Sequence, residues 1–125
     1  MCDDRKHIVC CLENIENEIR KSEKKERELQ SARRMARMDE LTGVRNRNAL
    51  KEYAAELDGT IKSGKIEHSF AIVMCDINDL KLINDTRGHS FGDEAIQRTG
   101  RLISDVYGHS PVFRVGGDEF VAIIK

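Results

Sequence analysis

The strongest constraint on the fold is a Gly-Gly turn between two β-prone, mostly apolar runs. One run ends at Val115, Gly116 and Gly117 follow, and the acids Asp118 and Glu119 lead into the second run. Glycine adopts positive φ at little cost, so the pattern predicts a β-hairpin with two carboxylates at its tip. Acids are also common in ordinary exposed turns, so the hairpin alone leaves a metal site and a plain turn both open.

A third acid, Asp76, ends another apolar run that begins near Phe70. Two-cation phosphoryl-transfer sites gather carboxylates from separate strand ends, because hard divalent cations prefer oxygen ligands. Asp76 and the acids of the hairpin fit that arrangement if their strands lie side by side. No Ser-His-Asp or Cys-His set stands out beside them, so nucleophilic catalysis is not favoured.

Composition limits the other functions. The 125 residues suffice for one small domain with an appendage, and the net charge of -1 gives no support for nucleic-acid binding by a basic surface. The four cysteines include no CxxC pair, which disfavours a zinc site or a disulfide framework and predicts a cytoplasmic setting. No apolar run approaches a membrane span, so a membrane region is expected only upstream in a longer protein.

Residues 1–38 contain neither Gly nor Pro and are dense in charged helix formers, which predicts one long helical signalling or dimerisation segment. A heptad register places nine residues on one seam: Ile8, Leu12, Ile15, Ile19, Ser22, Glu26, Leu29, Arg33 and Ala36. A solvated single helix is one alternative. Because a single helix would bury little of its apolar surface, we expect weak parallel pairing with a second copy, and hence a homodimer.

A globular domain is expected over residues 39–125. The predicted elements follow in chain order: a helix over 47–62 capped by Asn46, a strand over about 68–75, helices over 79–86 and 90–107, and a hairpin of strands over 112–115 and 119–124. This order predicts an α+β fold in which helices cover an antiparallel sheet. A sheet of three strands would leave an edge that another copy could cover.

Apolar spacing predicts the side chains that the helices bury. The expected inward-facing residues are Leu50, Tyr53, Ala54, Leu57, Leu80, Leu82, Ile83, Ala95, Ile96, Thr99, Leu102, Ile103 and Val106. Ser90 and Asp93 have the spacing of a capping box, with Asp where Glu or Gln is usual. Arg114 is expected to support the hairpin, with Asp39 as its candidate partner.

Four ordered segments carry a family resemblance. Residues 39–47, DELTGVRNR, resemble DxLTGLxNR, and residues 76–85, DINDLKLIND, resemble a D-I-D/N-x-F-K-x-x-N-D segment. Residues 88–93, GHSFGD, match GHxxGD, and residues 114–120, RVGGDEF, match RxGGDEF. The ordered set is similar to the GGDEF domain of bacterial diguanylate cyclases. It implies a palm-like, nucleotide cyclase-type sheet flanked by helices, preceded here by a coiled-coil-like helix.

The resemblance also implies an activity, in which each of two facing subunits holds one GTP and the pair is condensed to cyclic di-GMP. The ligands implied for Mg²⁺ or Mn²⁺ are the side chains of Asp76, Asp118 and Glu119 and the backbone carbonyl of Ile77. The metal would stand between these acids and the triphosphate. Asp118 or Glu119 would also assist removal of the 3′-hydroxyl proton.

The nucleotide contacts implied by the resemblance lie on both sides of these acids. Asn84 and Asp93 match positions that read the guanine edge, and Lys81 matches a lysine that faces phosphate. Gly116 and Gly117 would allow the nucleotide to approach the backbone. Without the family, Asn84 and Asp93 are interpreted as helix caps and Lys81 as a solvated charge.

The sequence departs mildly from the family at Asn78 and Leu80, where aspartate and phenylalanine are common, and more strongly in two other ways. Residues 107–110, YGHS, stand where many cyclases carry an RxxD product-inhibition motif, so that feedback site is expected to be absent. The family domain continues beyond the signature strand, so this partial domain alone is expected to turn GTP over slowly or not at all. A module that holds GTP without turnover and an interaction protein built on the N-terminal helix stay open as alternatives.

Overall fold

The computed structural model describes residues 4–65 and 69–124, and the chain divides into two compact units, Met1–Ala36 and Arg37–Lys125. The first unit is the helix α1, Asp4–Met35, in which no residue is buried. Its seam residues Ile8, Leu12, Ile15 and Ile19 are 52% to 58% exposed. The long helix is thus confirmed over the described residues, and its pairing with a second copy stays a prediction.

The second unit is a mixed sheet with three helices in the part of the chain that the structure describes. Its elements are β1 (Arg45–Asn46), α2 (Arg47–Lys62), β2 (Ala71–Asp76), α3 (Leu80–Arg87), α4 (His89–Tyr107), β3 (Val112–Arg114) and β4 (Glu119–Ile124). Asn46 caps α2 as expected, because its side-chain oxygen accepts from the backbone N–H groups of Asn48 and Ala49. The α+β fold is confirmed.

The sheet has the strand order β1-β3-β4-β2. β4 runs antiparallel to both β3 and β2, and β1 runs parallel to β3. The two-residue strand β1 adds a fourth strand to the three predicted, because so short a segment carries no readable period. β2 is an edge strand, and its covering by another copy stays a prediction.

Helices pack on both faces of the β3-β4 hairpin. On one face, Ile96 and Ile103 of α4 form a buried cluster with Val112, Phe120 and Ala122. On the other face, Ala49 of α2 clusters with Phe113, Val121 and Ile123. Alternate residues of β4 thus point to opposite cores, which locks the strand in register between them.

Several predicted core positions are wrong. Leu82, Leu102 and Val106 are 59%, 63% and 65% exposed. The line of α4 that meets the sheet instead runs through Ile96, Gly100 and Ile103, at i, i+4 and i+7. Leu102 and Val106 lie off that line. On α2, likewise, Ala49 is buried and Ala54 is exposed.

Two element boundaries also differ from prediction. β2 begins at Ala71 and includes Asp76, whereas the predicted start at His68 lies outside the described residues. α4 begins at His89 after Gly88, and its N-terminus has no side-chain capping bond, so the capping box of Ser90 and Asp93 is wrong. Gly88 has φ 88 and ψ 161, a conformation that only glycine adopts readily, and this sharp junction replaces the cap.

Candidate functional site

The β2-β4 ladder brings two of the predicted acids together. Asp76 and Glu119 are register partners at the end of six antiparallel pairs. Partners in such a ladder have Cα atoms about 4.5 to 5.5 Å apart and side chains on the same face of the sheet. Both residues are exposed. Two exposed acidic residues from distant parts of the chain therefore lie opposite each other on one face of the sheet, an arrangement that a divalent cation would stabilise.

The third predicted acid, Asp118, adjoins this pair through the backbone. Asp118 directly precedes β4, and its backbone carbonyl accepts a hydrogen bond from the N–H of Ile77 at 3.2 Å. Across residues 4–65 and 69–124, no three His, Cys, Asp or Glu side chains are grouped to hold a metal ion. The strand register pairs Asp76 with Glu119, and the metal role of Asp76, Ile77, Asp118 and Glu119 stays a prediction.

Arg114 joins the Gly-Gly turn to the loop that opens the domain. Its Nη1 donates to both carboxylate oxygens of Asp39, at 3.1 and 3.0 Å, and its Nη2 donates to the carbonyl of Gly117 at 2.8 Å. The two side chains are only 14% and 20% exposed. Asp39 is confirmed as the partner of Arg114. The guanidinium ties the turn beside the acid pair to residues far away in sequence.

Several hydrogen-bond donors stabilise the ionised carboxylate of Asp39. Burial alone would raise the pKa of its carboxyl group, but hydrogen bonds from the hydroxyl and backbone N–H of Thr42, together with Arg114, lower it overall. The two Thr42 bonds measure 2.7 and 2.9 Å and go to the same carboxylate oxygen. The sequence motif predicted this loop but not the role of Thr42, whose signal is its position three residues after an acid.

Glycine at position 116 makes room for Glu119. A methyl group built there would lie 2.6 Å from Oε2 of Glu119 and 3.3 Å from its Cδ. Gly117 has open space at the same position, and its carbonyl is the acceptor for Arg114. Gly116 therefore allows the carboxylate of Glu119 to fold back against the turn.

An unusual backbone conformation follows the acid pair. Asp79 has φ 58 and ψ 27, and it is the single non-glycine residue with positive φ in the described part of the chain. Asp tolerates this left-handed region better than most residues, and such outliers are often found at functional sites. Asp79, three residues after Asp76, is the N-cap of α3, and the exposed Lys81 lies in the first turn of that helix.

The predicted guanine contacts lie at the junction of α3 and α4. Asn84 is half-buried, and its side chain lies against Gly92, while Asp93 is exposed in the next position of α4. Gly92 was missed as a site residue, and the signal that could have found it is its place in the GHSFGD segment. The structure thus places Asn84 and Asp93 on neighbouring helices.

A cavity of about 480 Å³ lies elsewhere in the domain. It is lined by residues of the loop before α2, by Tyr53, by the segment after α4 and by Val112, at the end of β3 away from the Gly-Gly turn. None of the predicted site residues lines it. The candidate site is therefore the open surface around the acid pair rather than this cavity.

The family model described as "Diguanylate cyclase, GGDEF domain" matches residues 36–125. The chain belongs to the GGDEF domain family.

Curated relatives agree with this family. Diguanylate cyclase DgcS of Shewanella oneidensis is 30% identical over 117 residues, which cover 92% of this chain and 38% of that protein. An uncharacterised protein of Streptomyces griseus is 36% identical over 96 residues, or 74% of this chain and 39% of that protein. A relative from Escherichia coli, 29% identical over 93% of this chain and 16% of its own length, is named cyclic di-GMP phosphodiesterase PdeR.

A solved structure matches both units of this chain. It is the coiled coil and GGDEF domain of DgcB from Caulobacter crescentus in complex with c-di-GMP, with a TM-score of 0.77 and 26% identity over 89% of this chain. The match covers 58% of that chain, so the GGDEF domain chain described here spans little more than half of that structure. None of the helices in residues 4–65 and 69–124 combines the length and apolar character needed to cross a membrane.

The Asp39-Arg114 pair predicts a pH dependence of stability. Because the folded-state pKa of Asp39 is lowered, its contribution is present above the unfolded pKa of about 3.9 and is lost as the pH falls through the folded value. We expect Asp39→Asn to lower the free energy of unfolding at pH 7 by about 1 to 3 kcal/mol. Urea unfolding between pH 7 and pH 3 measures both effects.

The matched control is Asp58→Asn on the exposed surface of α2, which should change little. The difference in unfolding free energy between wild type and Asp39→Asn should narrow as the pH falls below about 3.9, because the unfolded chain then binds a proton that the folded Asp39 carboxylate, with its lowered pKa, still resists. A gap that stays constant down to pH 3 contradicts the charge-based role of this pair.

Proposed function

We propose that this GGDEF domain forms one half of a diguanylate cyclase site, which binds one GTP and condenses it with a second GTP held by a partner subunit. The observation that carries the proposal is the facing pair of Asp76 and Glu119 beside the Gly-Gly turn. Membership of the family supplies the substrate class. Cyclic di-GMP and two molecules of pyrophosphate are the products.

The donor set suits Mg²⁺ or Mn²⁺. Mg²⁺ is typically bound by one or two carboxylates together with substrate phosphates, rather than by a complete cage of protein ligands. Asp76 and Glu119 would supply these carboxylates, and Asp118 and the carbonyl of Ile77 lie next to them along both strands. The cation would neutralise charge on the triphosphate when bound. A site with two opposed acids and no group of three suits a cation whose remaining ligands come from the phosphates of the bound nucleotide.

The chain's own groups position the reacting atoms. The 3′-oxygen of one GTP forms a bond to the α-phosphorus of the other, and the bond from that phosphorus to pyrophosphate breaks in line. Glu119 or Asp118 would accept the proton released from the 3′-hydroxyl. Lys81 and the backbone N–H groups of the first turn of α3, which lack intrahelical partners, would bind the phosphates. Two such transfers close the cyclic product.

Guanine recognition is assigned to Asn84 and Asp93. A carboxylate can accept hydrogen bonds from N1 and N2 of guanine, and a carboxamide can pair with O6 or N3. The structure supports this assignment by placing both residues at the α3-α4 junction, which follows the acid pair in the chain. Gly116 and Gly117 leave space for the nucleotide beside the turn.

Catalysis on two GTP molecules requires two copies of the domain. We propose that residues 1–38 form the segment that pairs them and that residues 39–125 carry the half-site. The seam of α1 is apolar at Ile8, Leu12, Ile15 and Ile19, all of which are exposed in the single chain. Pairing these residues along two parallel helices would bury them and hold two domains side by side.

A second candidate function, GTP binding without turnover, is favoured by the finding that no three acids are grouped to hold a metal ion among the described residues. Calorimetry of GTP binding, combined with an assay for cyclic di-GMP, distinguishes binding without turnover from cyclase activity. Saturable binding of GTP with no formation of cyclic di-GMP by the full-length protein would support the second candidate over the first.

The acid pair predicts a loss of turnover on mutation. In the full-length protein with GTP and Mg²⁺, we expect Asp76→Asn and Glu119→Gln each to lower the rate of cyclic di-GMP formation at least about 100-fold, because each removes a ligand charge. Chromatographic product assays measure the rate. Asp58→Asn is the matched control and should retain wild-type activity. Retained activity in both acid variants would exclude this pair from the site.

If α1 pairs with a second copy, a substitution in its seam should lower the molecular mass of the protein in solution. Ile15→Lys puts a charge at the centre of the apolar seam, and we expect it to convert a dimer into a monomer at micromolar concentration. Analytical ultracentrifugation of residues 1–125 measures this. Asn17→Lys, two residues away on the side opposite the seam, should leave the dimer intact. A wild-type chain that stays monomeric at high concentration would reject α1 as the pairing segment.

A further inference from the structure

The side chain of Asn84 occupies the space that a side chain at position 92 would need. A methyl group built on Gly92 would overlap Oδ1 of Asn84 and stand 2.9 Å from its Cγ and 3.4 Å from its Nδ2. Gly92 is buried within the first turn of α4. Asn84 itself lies in the last turn of α3, where its backbone carbonyl accepts from the N–H of Gly88 at 2.9 Å.

The backbone at Gly92 does not explain the glycine. Its φ is not positive, unlike that of Gly88, which is 88. Alanine is the better helix former by about 1 kcal/mol at such a position. What the glycine provides is therefore space for a side chain from the neighbouring helix, and that side chain is the proposed guanine reader.

We propose that Gly92 is a positioning residue for guanine recognition, which seats the carboxamide of Asn84 across the first turn of α4 beside Asp93. The inference rests on the proposed function of Asn84. An asparagine side chain that is already held in one rotamer loses less entropy when it binds a base. A methyl group at position 92 would displace the carboxamide and leave its chemistry unchanged.

Two other helical glycines provide matched comparisons. A methyl group built on Gly59 of α2 would meet no described atom within 4 Å apart from its chain neighbours and the adjoining helix backbone, so Gly59→Ala should be neutral or stabilising. A methyl group on Gly100 of α4 would meet Phe120 and Thr42, each at 3.3 Å, so Gly100→Ala should strain the core without touching Asn84. Together they separate helix propensity and core packing from the effect on Asn84.

The test is a double-mutant cycle on the full-length protein, with KM for GTP and the preference for GTP over ATP as readouts. We expect Gly92→Ala and Asn84→Ala each to raise KM for GTP about tenfold and to reduce the preference for GTP. The double variant should be no worse than Asn84→Ala alone. Gly100→Ala should lower thermal stability with the preference for GTP unchanged. An unchanged KM in Gly92→Ala, or additive effects in the double variant, would overturn the proposal.

A second readout does not depend on turnover. In two-dimensional NMR spectra of residues 1–125, Gly92→Ala should shift the side-chain amide signals of Asn84, and Gly59→Ala should not. Unshifted signals would overturn the contact itself. If Gly92→Ala fails to fold, adding Asn84→Ala should restore folding by removing the clash, and failure to do so counts against the inference. If the wild type forms no cyclic di-GMP, the proposed activity is rejected. The NMR spectra would still show whether Asn84 contacts Gly92.

Discussion

The antiparallel ladder between β2 and β4 is the constraint on which the candidate site depends. Its register places Asp76 opposite Glu119, and a slip of one residue would send Asp76 to the other face. The register is held by the alternation of β4, whose Phe120 and Ala122 enter one core and Val121 and Ile123 the other. Hydrophobic packing on both faces of one strand therefore decides where two carboxylates meet.

Arg114 adds a second constraint, which acts on the turn rather than on the strands. By bonding Asp39 and the carbonyl of Gly117 together, it fixes the turn against the loop that opens the domain. The low exposure of the pair keeps the interaction from being screened by solvent, unlike the exposed ion pairs along α1. Gly116 completes the arrangement by admitting Glu119. The site thus combines an ion pair, a glycine and a strand register.

Local sequence signals predicted the parts of this fold that depend on local chemistry. The cap at Asn46 and the hairpin at the two glycines follow from residue types, although neither Gly116 nor Gly117 has positive φ, and the expected pairing of Arg114 with Asp39 is present. Local sequence signals failed to predict those features that tertiary contacts determine. The two residues of β1 are held by pairing with β3 and with Arg37 and Met38, and the face that α4 buries is chosen by Gly100 as well as by its apolar residues. The space that Gly92 gives to Asn84 links two helices, and no spacing rule within one helix shows it.

The central claim is that the ends of β2 and β4 bind a divalent cation together with GTP. Paramagnetic broadening of NMR signals by Mn²⁺ tests it directly, since the effect falls steeply with distance from the ion. With GTP present, we expect the backbone amides of Ile77, Asp118 and Glu119 to broaden first, and those of residues 57–62 at the end of α2 to stay sharp. Broadening spread over the acidic residues of α1, with the amides of Ile77 and Glu119 unaffected, would contradict the claim.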